Sequence, residues 1–214
     1  MSRDGNERAG RLRWGDLLVR AFVVFALLPL VAGCVPPRST VVEGPIPENV
    51  VQVAPKTAIV MPRPRDLARS INAVQHVTAH YGNQTFVFDN RISITPDRVR
   101  LVSLDSSGNQ AMTITWTSGG VYSEAAAWIP EPLRPEKILA DMVILYWPEE
   151  SVRIALIGGT LHAAPEHRSV VADGQDVIRA AFNPLRAGDP WSGSLHYENV
   201  ALGYAVDIQS REQR

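Results

Sequence analysis

IPEPLRPEKILADMVILYWPEE, Ile129 to Glu150, is the stretch whose reading decides the fold. On both sides of it apolar and polar residues alternate; within it they do not. Pro135-Glu136-Lys137 has the form of a helix start, with proline in the first turn and an acid where the helix dipole favours negative charge. Ile138, Leu139, Met142, Leu145 and Tyr146 then recur at helical spacing, although Val143 to Trp147 taken alone reads equally as a buried strand. Pro148-Glu149-Glu150 restarts a helix with Val152, Ala155 and Leu156 on one face, and Gly158-Gly159 ends it.

Upstream the period is two. Ile71, Ala73, Val77, Ala79 and Tyr81 share one parity, and Asn72, His76, Thr78 and His80 the other. After the turn at Tyr81 to Gln84, Phe86, Phe88, Ile92 and Ile94 alternate with Thr85, Asp89, Arg91 and Ser93. Val99 and Leu101 follow the same rule, then Met112, Ile114 and Trp116, then a fifth short strand through Tyr122. Such alternation predicts an antiparallel meander with one wet and one apolar face. Downstream, strand-like segments resume near Leu161, Val170, Val177 to Phe182, Leu195 to Tyr197, and Leu202 to Ile208. The expected fold class is therefore α+β: an antiparallel curved sheet with a helical insert packed on its concave face.

The chain has 214 residues, 45% of them apolar, and a formal charge of −1. That is enough apolar material for a single core, and it offers no basic field for nucleic acid. One cysteine excludes both an internal disulfide framework and a thiolate metal cage.

That cysteine follows a particular leader. Arg3, Arg8, Arg11, Arg13 and Arg20 outnumber Asp4, Glu7 and Asp16, and the uncharged run Ala21 to Gly33 comes next. A basic start, a short apolar core and small residues describe a secretory signal. A transmembrane anchor needs about 20 apolar residues, more than Arg20 leaves, and Pro29 breaks a core helix. Val31, Ala32, Gly33 and Cys34 resemble the lipobox of bacterial lipoproteins. That resemblance implies signal residues 1–33 and a diacylglyceryl thioether on Cys34, with further acylation such as palmitate. It places the chain on the periplasmic face of a Gram-negative outer membrane, Val35 standing where an inner-membrane retention aspartate would be. Each methylene buried in the membrane contributes roughly 0.8 kcal/mol to such anchoring. Seven prolines between Cys34 and Pro64 read as a tether, residues 34–64. Residues 65–214 are expected to form the folded domain.

Chemistry is sparse. His76 and His80 would share a helix face at metal-binding distance, but on a strand they stand about 13 Å apart. His162 and His167 fall in loop-rich sequence, where solvated turns are the simpler reading. No Gly-x-Ser-x-Gly elbow, spare thiol or phosphate-cradling glycine loop is present. Glu149-Glu150 suits the first turn of a helix. No catalytic residue, metal or other cofactor is assigned, and the expectation is a protein that is not an enzyme. What remains is the apolar face: Phe86, Phe88, Met112, Ile114 and Trp116 on the sheet, opposite Met142, Leu145 and Tyr146 on the insert. They form either a filled core or an incompletely closed pocket for an acyl chain.

Together these features resemble an uncharacterised family of bacterial outer-membrane lipoproteins, some of whose members accompany aryl polyene biosynthesis genes. The residues carrying the likeness are Ser106-Ser107-Gly108, Leu139-Ala140-Asp141, Tyr146-Trp147-Pro148 and Gly203-Tyr204. Val143 and Ile144 stand where that family usually has glutamine and leucine, and Ser107 where it has a bulky residue. Its members are similar in architecture to LolA and LolB, which implies a half-barrel, a helical lid and an apolar cavity for acyl chains. The expected function is to bind or hand over a lipid or other amphiphile. The alternative is a non-catalytic adaptor docking an envelope protein.

Overall fold

The structure, a computed structural model, describes residues 40–42 and 49–213. The expected signal and the lipobox, Val31, Ala32, Gly33 and Cys34, lie outside the described residues. The elements in chain order are β1 (Thr40–Val42), β2 (Val50–Ala54), β3 (Thr57–Val60), β4 (Ile71–Tyr81), β5 (Gln84–Thr95), β6 (Arg98–Asp105), β7 (Gln110–Thr117) and β8 (Gly120–Ala125). Helices α1 (Pro135–Tyr146) and α2 (Glu149–Ala155) follow, then β9 (Leu156–Ile157), β10 (Thr160–Ala164), β11 (His167–Ala172), β12 (Gln175–Pro184), β13 (Gly193–Asn199) and β14 (Tyr204–Glu212).

Among the described residues eleven strands make one sheet in the order β1-β8-β7-β6-β5-β4-β14-β13-β12-β11-β10. Each neighbouring pair is antiparallel. Two meanders, one before the helices and one after, are joined where β14 pairs with β4, Val77 opposite Ile208. The two-residue period sets the faces: in β4 every odd position from Ile71 to Ala79 is buried while Asn72, His76 and His80 are exposed. One face of this sheet reaches the helical segment from several strands. Gln75 on β4, Tyr197 on β13 and Tyr204 on β14 bond to side chains of α1, and Trp116 on β7 packs on Trp147 just beyond it. Strands β7 and β13 would lie about 24 Å apart if flat, so the pattern fits a sheet curled about a helix.

The segment that reads both ways, Val143 to Trp147, is helical through Tyr146. Pro148 prevents α1 from continuing, and Arg168 caps its end by donating from Nη1 to the carbonyls of Ile144 and Trp147, each at 2.8 Å. Every residue of α1 from Leu139 to Tyr146 is buried, so the helix is covered all round rather than on one stripe.

The second cover corrects the expected tether, which does not run to residue 64. Val50 to Val60 folds as the hairpin β2–β3, and β9 adds to it to make a separate three-stranded sheet. Val51, Val53 and Ile59 are buried, and β2 lies against α1. Lys137 Nζ donates to the Gln52 carbonyl at 2.6 Å, and the buried Asn199 donates from Nδ2 to the Val53 carbonyl at 3.0 Å. The β9 exit needs glycine: at Gly158, φ +73°, a Cβ would fall 2.0 Å from the Lys56 carbonyl oxygen. Proline density concealed this hairpin, because its apolar residues span too few positions to establish a period.

Candidate functional site

Between α1 and the inner face of the sheet lies a cavity of about 70 Å³. Phe88 and Met112 line it from the sheet, and Met142, Leu145 and Tyr146 from the helix. Phe86, Ile114 and Trp116, the other three residues of the expected apolar face, do not line it. Ile114 and Trp116 are buried in the solid part of the core, Trp116 with its ring centroid 5.7 Å from that of Trp147. Phe86 is half-buried and stacks, as Phe88 does, on the exposed ring of Trp128, with centroids 6.1 Å apart in each pair.

The polar groups of this cavity are those the sequence reading passed over. Asp141, one turn before Leu145, is buried within the apolar run of α1. Its Oδ1 accepts a 2.5 Å hydrogen bond from Tyr197 Oη, and its Oδ2 accepts one from Tyr204 Oη. Burial pushes its carboxyl from the ordinary 3.8 up to about 7, against the pull of the two tyrosine hydroxyls and of Lys137. Burial, reinforced by the neighbouring carboxylate, pushes both tyrosine hydroxyls well above their ordinary range. Asp141 and Tyr204 belong to two of the short motifs that carried the family likeness, and the fold brings them into contact. Tyr146, from a third, accepts a hydrogen bond from Gln75 Nε2 at 3.0 Å. The signal was present: Asp141 is a lone carboxylate in a continuous apolar run, and Gln75 and Asn90 are polar residues at the apolar parity of their strands.

A wider groove of about 510 Å³, open to solvent, adjoins the cavity. Leu145 and Tyr146 line both spaces, and the Tyr146 ring stacks on Trp191 with centroids 4.0 Å apart. This stack stands between groove and cavity. Arg168 also lines the groove, but its guanidinium is occupied in capping α1, and burial holds it below its ordinary pKa. The cavity under α1 has the more apolar lining of the two and is therefore the better candidate for specific binding.

His76 and His80 lie exposed on the outer face of β4; His76 Nδ1 is 2.8 Å from Asp89 Oδ1. His162 and His167 are exposed on β10 and β11 rather than in loops. Among the described residues no group of three histidine, cysteine or acidic side chains is set to hold a metal ion. No helix among them is long and apolar enough to cross a membrane.

The DUF3261 family, described as a protein of unknown function, matches residues 72–212. No curated protein matches the chain. Among solved structures it is similar to a DUF1329 family protein from Desulfovibrio piger, at 9% identity over 69% of this chain and 87% of that one, with a TM-score of 0.33.

Proposed function

We propose that this chain, which belongs to the DUF3261 family, is a non-enzymatic, lipid-anchored envelope protein whose half-barrel binds a lipid or other amphiphile between sheet and helix. The observation that carries the reading is the cavity itself, with apolar walls, a few convergent polar side chains and a carboxyl whose pKa is strongly displaced. A sheet curled about α1 supports a LolA/LolB-like half-barrel in which α1 and the β2–β3 hairpin act as the lid. The lipobox at Val31 to Cys34 supports attachment through an acylated Cys34 on the periplasmic face of the outer membrane.

The volume also says how binding would proceed. About 70 Å³ holds a few water-sized groups, so the end of an acyl chain enters without rearrangement. A longer chain requires α1 and the hairpin to lift, with the Tyr146–Trp191 stack giving way toward the open groove. Each methylene buried in this way contributes roughly 0.8 kcal/mol.

Titration of the full chain with the uncharged dye N-phenylnaphthylamine tests the proposal. Saturable fluorescence enhancement, lost on filling the space with Val77→Phe, is the expected result. Enhancement that never saturates, or that Val77→Phe leaves unchanged in a folded protein, rejects it.

A further inference from the structure

Four polar side chains interrupt the apolar inner face at one level of the sheet. Ser210 on β14 stands opposite Gln75 on β4, Gln75 opposite Asn90 on β5, and Asn90 opposite Ser103 on β6. Each occupies the inward parity of its strand, between or beside apolar positions, so the row runs across four adjacent strands under α1. Gln75 is 5% exposed and Ser103 3%. A buried amide or hydroxyl is costly unless it is bonded. Gln75 meets that requirement in part, donating from Nε2 to Tyr146 Oη at 3.0 Å and to Ser210 Oγ at 3.3 Å. Asn90 does not, because its Oδ1 is buried with no partner among the described residues. Gln75, Asn90, Ser103 and Tyr146 all line the cavity.

We infer that this row is the polar subsite of the cavity, and that its ligand carries an uncharged hydrogen-bonding group, a hydroxyl or an amide, partway along an apolar chain. The inference rests on reading the cavity as an amphiphile site and adds which amphiphile it selects. The ligand group is uncharged because among the described residues no lysine, arginine or histidine lines the space, and the one carboxyl among them, Asp141, already accepts from Tyr197 and Tyr204. A carboxylate or phosphate at this depth would meet no opposite charge. The group is a donor because the orphaned Asn90 Oδ1 is an acceptor, which a hydroxyl or an amide N–H satisfies and an ester does not. It lies partway along the chain because, on the four strands that carry the row, the residues lining the cavity on both sides of it are apolar. Ile208, Val77 and Phe88 form the next inward level in one direction, and Ile92 and Leu101 in the other.

The test is displacement of N-phenylnaphthylamine from the full chain by methyl oleate, methyl ricinoleate and oleate. Methyl ricinoleate differs from methyl oleate by one mid-chain hydroxyl, and oleate by a terminal charge. Methyl ricinoleate should displace the dye at about tenfold lower concentration than methyl oleate, the effect of one added buried hydrogen bond. Oleate should be weaker than either. Asn90→Leu should erase the preference for the hydroxyl, read as the ratio of the two esters' displacing concentrations, and the milder Ser103→Ala should reduce it. Equal displacement by the two esters, a preference that survives Asn90→Leu, or oleate as the best competitor overturns the inference while leaving the cavity reading intact. Absence of saturable dye binding removes both.

Discussion

Tyr197 donates a 2.5 Å hydrogen bond to Asp141 across the interface between β13 and α1, two residues 56 positions apart in the chain. With Tyr204 on the other oxygen, this carboxylate ties the second meander to the helix that covers the first. The arrangement has a consequence for stability. The carboxyl titrates near 7 in the fold against an ordinary 3.8. Between those values the folded protein holds a proton that the unfolded chain has released, so stability falls as pH rises. The loss begins above about pH 4, is complete near the folded pKa and levels off above it, with a size on the order of 4 kcal/mol. Urea unfolding between pH 4 and pH 8 should show this slope, and Asp141→Asn should flatten it. A wild-type profile with no downward slope contradicts the account.

Tyr204→Phe removes one of the two donors to that carboxylate. At pH 8, where Asp141 is ionised, the loss should cost about 1.5–3 kcal/mol. Less should be lost at pH 5, where the carboxyl is protonated, and the falling limb of the stability profile, still beginning near pH 4, should extend to higher pH. Equal cost at both values would mean that the hydroxyl packs but does not serve the charge.

The β2–β3 hairpin is predicted to be part of the folding unit. A chain starting at residue 65 leaves the hairpin side of α1 bare and should be insoluble or unfold at much lower urea concentration than one starting at residue 49. Within the full chain, Asn199→Ala leaves the Val53 carbonyl unpaired and should cost about 1–3 kcal/mol. Gly158→Ala should be worse still, since its Cβ has no room beside Lys56. Normal stability of the shortened chain would return residues 50–64 to the tether.

Trp116→Ala and Val77→Phe should separate core from cavity. Trp116 packs on Trp147 away from the cavity, so its loss should cost about 3–5 kcal/mol of stability and leave dye affinity of the folded fraction unchanged. Val77 lines the cavity, so the larger side chain should abolish dye binding at a cost of about 1–3 kcal/mol. The reverse pattern would place the binding space elsewhere.

Cys34→Ser should abolish incorporation of labelled palmitate and move the protein from the membrane to the soluble fraction. Continued acylation of the variant would refute the lipobox reading.

How much of this was legible follows from where each fact resides. Pro135, Glu136 and Pro148 mark the ends of α1 locally, and the odd and even parities of β4 through β7 name the buried face of each strand without any partner. The same reading left Phe86, Ile114 and Trp116 open between a filled core and a pocket, because parity reports a face and not a depth. Asp141 and Gln75 were visible as polar residues in apolar positions, but their partners were not. Gln75 meets Tyr146 from 71 positions away, and Asp141 meets Tyr204 from 63.

The sequence by itself determined the order of strands, helices and strands, because hydrophobic period and helix-end chemistry act over a few residues. Tertiary structure alone decided that Val50 to Val60 closes over α1, that Tyr197 and Tyr204 converge on Asp141, and that Ser210, Gln75, Asn90 and Ser103 fall on one line. Those results depend on the register between strands distant in the chain, which the antiparallel ladders fix only when the whole sheet has formed.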